Sequence, residues 1–138
     1  MNLVSTSRRK RQSGNVMIET SFCLISLFMI MFGIVEYSRL TYAWNFVSYA
    51  ARSATRYGSL RGSTSSSPVT AAQMTSYVQS LAVALNPSSL VVNTTWSPNN
   101  QPGSTIQVVV SYTESPVVTM VMPNSINVTS TSQMVILQ

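Results

Sequence analysis

The sequence predicts an α+β protein. A long N-terminal helix, made of a membrane span and an amphipathic extension, precedes a short helix and a small antiparallel sheet of about three strands. Three observations carry this. Residues 16–35 are almost entirely apolar, long enough to cross a bilayer as a helix. Apolar residues then recur at spacings of three and four through Tyr37, Leu40, Trp44, Val47, Ala51 and Ala54, which is the period of one helical stripe. Beyond residue 91 the period changes to two, as in Val92-x-Thr94-x-Trp96 and Ile106-x-Val108-x-Val110-x-Tyr112, the alternation of half-buried strands.

Taken in order, residues 1–14 form a polar leader holding Arg8, Arg9, Lys10 and Arg11. These are four of the chain's eight basic residues, and the other four nearly balance three acids. The basic excess therefore belongs to one terminal cluster and does not describe a nucleic-acid-binding surface. Such a cluster beside an apolar span holds its own end in the cytoplasm and predicts export of the rest.

Within the span, Glu19 is the only charge. A carboxylate at the centre of a membrane helix costs about 2.5–3.5 kcal/mol on insertion scales, less towards the edge. With no partner in its own helix, Glu19 calls for one outside the chain. Cys23 sits between Phe22 and Leu24 and has no second cysteine to pair with. It reads as a small apolar filler, and Phe22 stands where a lipoprotein signal needs a small residue.

No Pro or Gly falls between Gly33 and Gly58, so one rod from about residue 15 to residue 58 is expected. Its length is roughly 65 Å, about twice the hydrocarbon thickness. Glu36 and Arg39, three apart, are placed to pair weakly, whereas Arg52 and Arg56 share a side and repel unless an acid meets them. Gly58 reads as the helix stop. Residues 59–67 read as a Gly/Ser-rich linker, and Ser67-Pro68 as the N-cap and first turn of the short helix. That helix carries Met74, Tyr77, Val78, Leu81 and Leu85 on one stripe and ends at Asn86-Pro87. Ile126, Val128, Met134 and Ile136 suggest a third strand, and residues 117–122 read equally as an edge strand or a packed loop. The exported unit, residues 68–138, is small enough to need support, which Trp44 or Val47 of the long helix would supply.

The residue inventory argues against catalysis. There is no His, one Cys, and only Glu19, Glu36 and Glu114 as acids. Neither a His-based nucleophilic arrangement nor a usual zinc site can be built from that set, and no metal or cofactor is expected.

Gly14, Asn15, three apolar or neutral residues and then Glu19, behind a basic leader, resemble the processing site of type IV pilin-like proteins. Gly33-Ile34-Val35-Glu36-Tyr37-Ser38-Arg39-Leu40 and Ala50-Ala51-Arg52-Ser53-Ala54-Thr55-Arg56-Tyr57 resemble the helix of TadE-like proteins, the minor pilins or pseudopilins of tight-adherence (Tad, type IVc) pili. The resemblance covers residues 8–60. It implies cleavage by a prepilin peptidase between Gly14 and Asn15, and pairing of Glu19 with the new N-terminal amine of a neighbouring subunit. Independently of the resemblance, the spacing of Tyr37, Leu40, Trp44, Val47 and Ala51 offers a helix-packing interface, and Glu36, Arg39, Arg52 and Arg56 offer electrostatic contacts. The implied partners are the peptidase, the main pilin, other minor pilins, the inner-membrane assembly platform and the bacterial inner membrane itself, with the N-terminus cytoplasmic. Thr20 departs from the aromatic that main Tad pilins carry after the glutamate. An exported domain of this size favours an accessory subunit over the bulk filament protein.

Two other readings stand beside this one. A soluble domain could be secreted behind an ordinary signal peptide cut after Ala43 or Ala50, since Thr41-Tyr42-Ala43 and Ser48-Tyr49-Ala50 have the small-x-Ala form. Alternatively, an uncleaved anchor could display a binding domain, although nothing in residues 68–138 specifies a ligand.

Overall fold

The computed structural model of the protein describes residues 7–119 and 122–137, with side chains described from residue 14. Helix α1 (Ser7–Ser59) is followed by α2 (Ala71–Leu81), a single 3-10 turn (Pro87–Ser89), and strands β1 (Leu90–Ser97), β2 (Thr105–Glu114) and β3 (Ile126–Val135). The architecture is α+β, with the three strands in antiparallel order β1-β2-β3.

Helix α1 is a rod of about 80 Å. It starts earlier than expected, passing through Gly14 into the basic cluster. A single glycine costs a helix only about 1 kcal/mol, and Arg and Lys are good helix formers, so nothing at Gly14 stops it. The apolar half of the rod packs on nothing: the apolar residues from Val16 to Val35 are exposed. Its hydroxyls are satisfied internally. Thr20, Ser21 and Ser26 donate to the carbonyls of Val16, Met17 and Phe22 at 2.8–2.9 Å, the arrangement a helix needs where water is absent.

The outer half of α1 lies along the sheet. Ala43, Val47, Ala50, Ala51 and Ala54 are fully buried against Ile106, Val108 and Val110 of β2 and Val128 of β3. Alanines let the helix axis come close, and Gly58 extends the effect: a Cβ there would collide with Ile106 and press on Met74 at 3.3 Å. Gly58 is thus a close-approach residue inside α1 and not the helix stop the sequence suggested.

Helix α2 covers β1, burying Met74 and Val78. Its cap differs from expectation. Thr70, and not Ser67, is the N-cap: the Gln73 amide donates to Thr70 Oγ1 at 3.3 Å, while the Thr70 amide donates to Gln73 Oε1 at 2.9 Å. This reciprocal capping box satisfies two otherwise orphaned donors and outcompetes the proline signal at Pro68. The helix ends at Leu81, so Leu85 packs from the following loop. The predicted linker is tied down. The Tyr57 ring stacks on Tyr77 at 4.3 Å, and the Arg61 guanidinium lies 4.3 Å from the Tyr57 centroid. Residues 117–119 form a loop, not an edge strand; residues 120–121 lie outside the described residues.

The strands run alongside α1, which gives the domain two ends. Leu90, Glu114 and Ile126 mark the end nearest the apolar half of α1, where Arg39 meets Glu114. Ser97, Thr105 and Val135 mark the far end, where the Leu137 amide donates to the Ser59 carbonyl at 2.9 Å. The β1–β2 connection at the far end turns at Gly103, whose φ of 87° suits glycine.

Candidate functional site

Gly14, Asn15 and Glu19 are all exposed on α1. A Cβ at Gly14 would meet nothing within 4 Å, so this position is open to an approaching protein. No ion pair or hydrogen bond among the described residues involves Glu19, although the hydroxyls around it are all bonded within the helix. The backbone of Arg8 to Arg11 belongs to α1; their side chains lie outside the described residues. Cys23 is exposed on the same apolar half.

The predicted stripe of Tyr37, Leu40, Trp44, Val47, Ala51 and Ala54 does not face one way. Val47, Ala51 and Ala54 are sealed beneath the sheet, whereas Tyr37 and Trp44 are 70% and 61% exposed. The sheet is therefore supported by Val47 and not by Trp44. Three-and-four spacing admits both shoulders of a helix, and the narrow alanine side is the one that fits under a sheet. The wide aromatics are turned away. Tyr37, Leu40, Thr41, Trp44 and Asn45 instead line a shallow outward hollow of about 270 Å³.

The charged candidates also divide. Glu36 is 2% exposed and bound on both oxygens. The amides of Val117 and Val118 each donate to Oε1 at 2.7 Å, and Arg39 Nη1 donates to Oε2 at 3.4 Å. Arg39 reaches onward through Nη2 to Glu114, which is 3% exposed. Arg39, Tyr42, Leu85, Tyr112 and Glu114 border a second hollow of about 300 Å³. The Tyr42 hydroxyl donates to the Val83 carbonyl at 2.8 Å.

Glu114 is the residue that sequence reasoning missed. Its parity was available: it continues the inward series 106, 108, 110, 112. What the spacing did not show is that the loop after β2 returns to α1. Arg52 and Arg56 are exposed; Arg52 Nε donates to the Ser48 carbonyl at 3.0 Å, and neither forms an ion pair among the described residues. The packed half of α1 thus shows Arg52 and Arg56 at its surface, while Glu36 and Glu114 are buried.

The family model described as TadE-like protein matches residues 14–56. In this helix the chain is similar to the TadE-like proteins. Neither the curated proteins nor the solved structures give a match. The TadE-like segment opens on Gly14 and closes on Arg56, so it holds every candidate residue on α1 and none of the sheet. The family and the exposed apolar helix together are consistent with a Tad pilus-related protein.

Proposed function

We propose that this TadE-like chain is a minor pilin-like subunit required for assembly of a Tad (type IVc) pilus, acting by helix packing and without catalysis. A prepilin peptidase cuts it after Gly14 on the cytoplasmic side, and α1 holds it in the inner membrane with the α+β domain exported. It then joins the main pilin and other minor pilins at the assembly platform. The observation that carries this is Glu19: a carboxylate with no partner among the described residues, on an exposed apolar helix, at the fifth residue beyond an accessible glycine, inside the matched segment. Cleavage would create an ammonium on Asn15. Pairing a neighbour's ammonium with Glu19 lets two charges share their desolvation in lipid.

The packing of α1 weighs against the signal-peptide reading. Cleavage after Ala43 or Ala50 would cut within the stretch buried beneath the sheet, and would remove Glu36 and Arg39 from the loop and strand they hold.

The test is the N-terminus and intact mass of the protein from its native membrane. A start at Asn15 supports the pilin reading, and a start at Trp44 or Ala51 gives a secreted domain. An intact leader with the peptidase present leaves a plain anchor and overturns the proposal. Replacing Gly14 with a bulky residue should block processing, whereas Glu19→Ala should be processed but fail in assembly.

A further inference from the structure

The connections at the two ends of the sheet differ in chemistry. At the far end, the β1–β2 connection is polar: Pro98, Asn99, Asn100, Gln101, Pro102, Gly103 and Ser104. At the end facing the apolar half of α1, residues 115–119, 122–125 and 82–86 contain no charged residue. Among the described residues, Val117 of the first connection is 72% exposed and Val83 of the second is 69% exposed. Val91, Val135 and Leu137 are exposed as well, so a distinction for Val117 and Val83 needs a further ground than exposure.

Their position supplies it. Val117 and Val118 are fastened to Glu36, which directly follows the apolar stretch 16–35, so this loop sits level with the outer edge of that stretch. Charge agrees with place. The two carboxylates at this end, Glu36 and Glu114, are buried, while the half-buried Arg39 is the one cation beside them. Among the described residues, then, this surface shows no exposed acid to repel phosphate headgroups.

We infer that the loop end bearing Val117, with Val83 at the same end of the sheet, is seated in the headgroup–acyl boundary of the bilayer that α1 crosses. The partner is a lipid surface. The inference rests on the reading of α1 as a membrane span. Glu36 gives the contact its rigidity: by accepting two consecutive amides it presents the loop backbone without leaving those donors unpaired near lipid. Before assembly, the domain would be held at a fixed tilt by two attachments, the rod and the loop, and withdrawal into a filament would have to release the second.

The experiment uses full-length protein in nanodiscs of phosphatidylethanolamine and phosphatidylglycerol, carrying a polarity-sensitive fluorophore on a single cysteine. Native Cys23 reports the span. In a Cys23→Ser background, Val117→Cys and Val83→Cys report the loops, and Gln101→Cys reports the far end. Lipids with a nitroxide placed shallow or deep act as quenchers. The expected result is loss of emission at Cys23 to the deep nitroxide, loss at residue 117 to the shallow one with a blue-shifted spectrum, and neither at residue 101. Deep quenching at Cys23 with a water-like spectrum at both residues 117 and 83 overturns the loop inference and leaves the span intact. Absence of quenching at Cys23 overturns the span and the inference together. Val117 and Val83 are both exposed, so either substitution spares the core, and the second keeps the test decisive if one variant misfolds.

Discussion

Arg39 on α1 ion-pairs with Glu114, the last residue of β2, while its other guanidinium nitrogen faces Glu36 one helical turn away. One exposed-side cation thus serves two buried carboxylates, and it fixes the near end of the sheet to the helix. Arg39→Ala leaves both acids without their cation. Losing one partner of a buried pair costs several kcal/mol, but the Arg39 side chain is 38% exposed and solvent screens part of this, so a loss of about 1–3 kcal/mol is expected. Denaturation of the full chain in detergent measures it. The double variant Arg39→Ala/Glu114→Gln should lose less than the sum of the singles; additivity would show that the pair is not coupled.

Gly58 carries a different demand. The side-chain ends of Ile106 and Met74 occupy the space a side chain would need, so Gly58→Ala must repack these two buried residues or shift α1. Overpacking of this kind costs about 1–3 kcal/mol. The same change at Gly33, where a Cβ meets nothing within 4 Å, should not destabilise the domain. Thermal melts of the two variants side by side separate close approach from general helix propensity.

The capping box makes a third comparison. Thr70→Ala removes the acceptor for the Gln73 amide and should cost about 1 kcal/mol. Ser67→Ala, three residues earlier, should be nearly neutral. Equal losses would return the start of α2 to the Ser67-Pro68 position.

Much of this architecture was legible because its signals are periodic. The change from a period of three and four to a period of two separated helix from sheet, and the alternating valines of β2 gave the inward face outright. Where two local signals competed, the weaker-looking one won. Thr70 with Gln73 satisfies donors that Ser67 with Pro68 does not, and it set the cap. The side of α1 that packs was legible only as a choice between Trp44 and Val47, because large aromatics dominate an apolar stripe, whereas helix–sheet distance selects alanine. The Glu36–Arg39–Glu114 arrangement was half visible: the pair three apart is local, but the contact with Glu114 and the loop amides depends on how β2 ends. At the candidate site, Gly14 and Glu19 were readable from spacing alone, since their surroundings are the helix itself.

The division of α1 into a packed and an open side yields the prediction that bears most on function. Val47 is fully buried, so Val47→Ala removes two methyl groups from the helix–sheet core and should destabilise the domain by about 1–3 kcal/mol. Trp44 lies on the adjoining shoulder, mostly exposed beside Tyr37 and the hollow they line. Trp44→Ala should change the stability of the isolated subunit by no more than about 0.5 kcal/mol. If this hollow receives another pilin helix, the same substitution should nevertheless lower pilus number and weaken crosslinking between subunits. Melting in detergent and pilus counts by electron microscopy, on both variants, resolve the two roles. A Trp44→Ala protein that melts normally and assembles normally would remove this face from the subunit interface. A normal melt with few pili would place assembly on the side of α1 that the domain leaves uncovered.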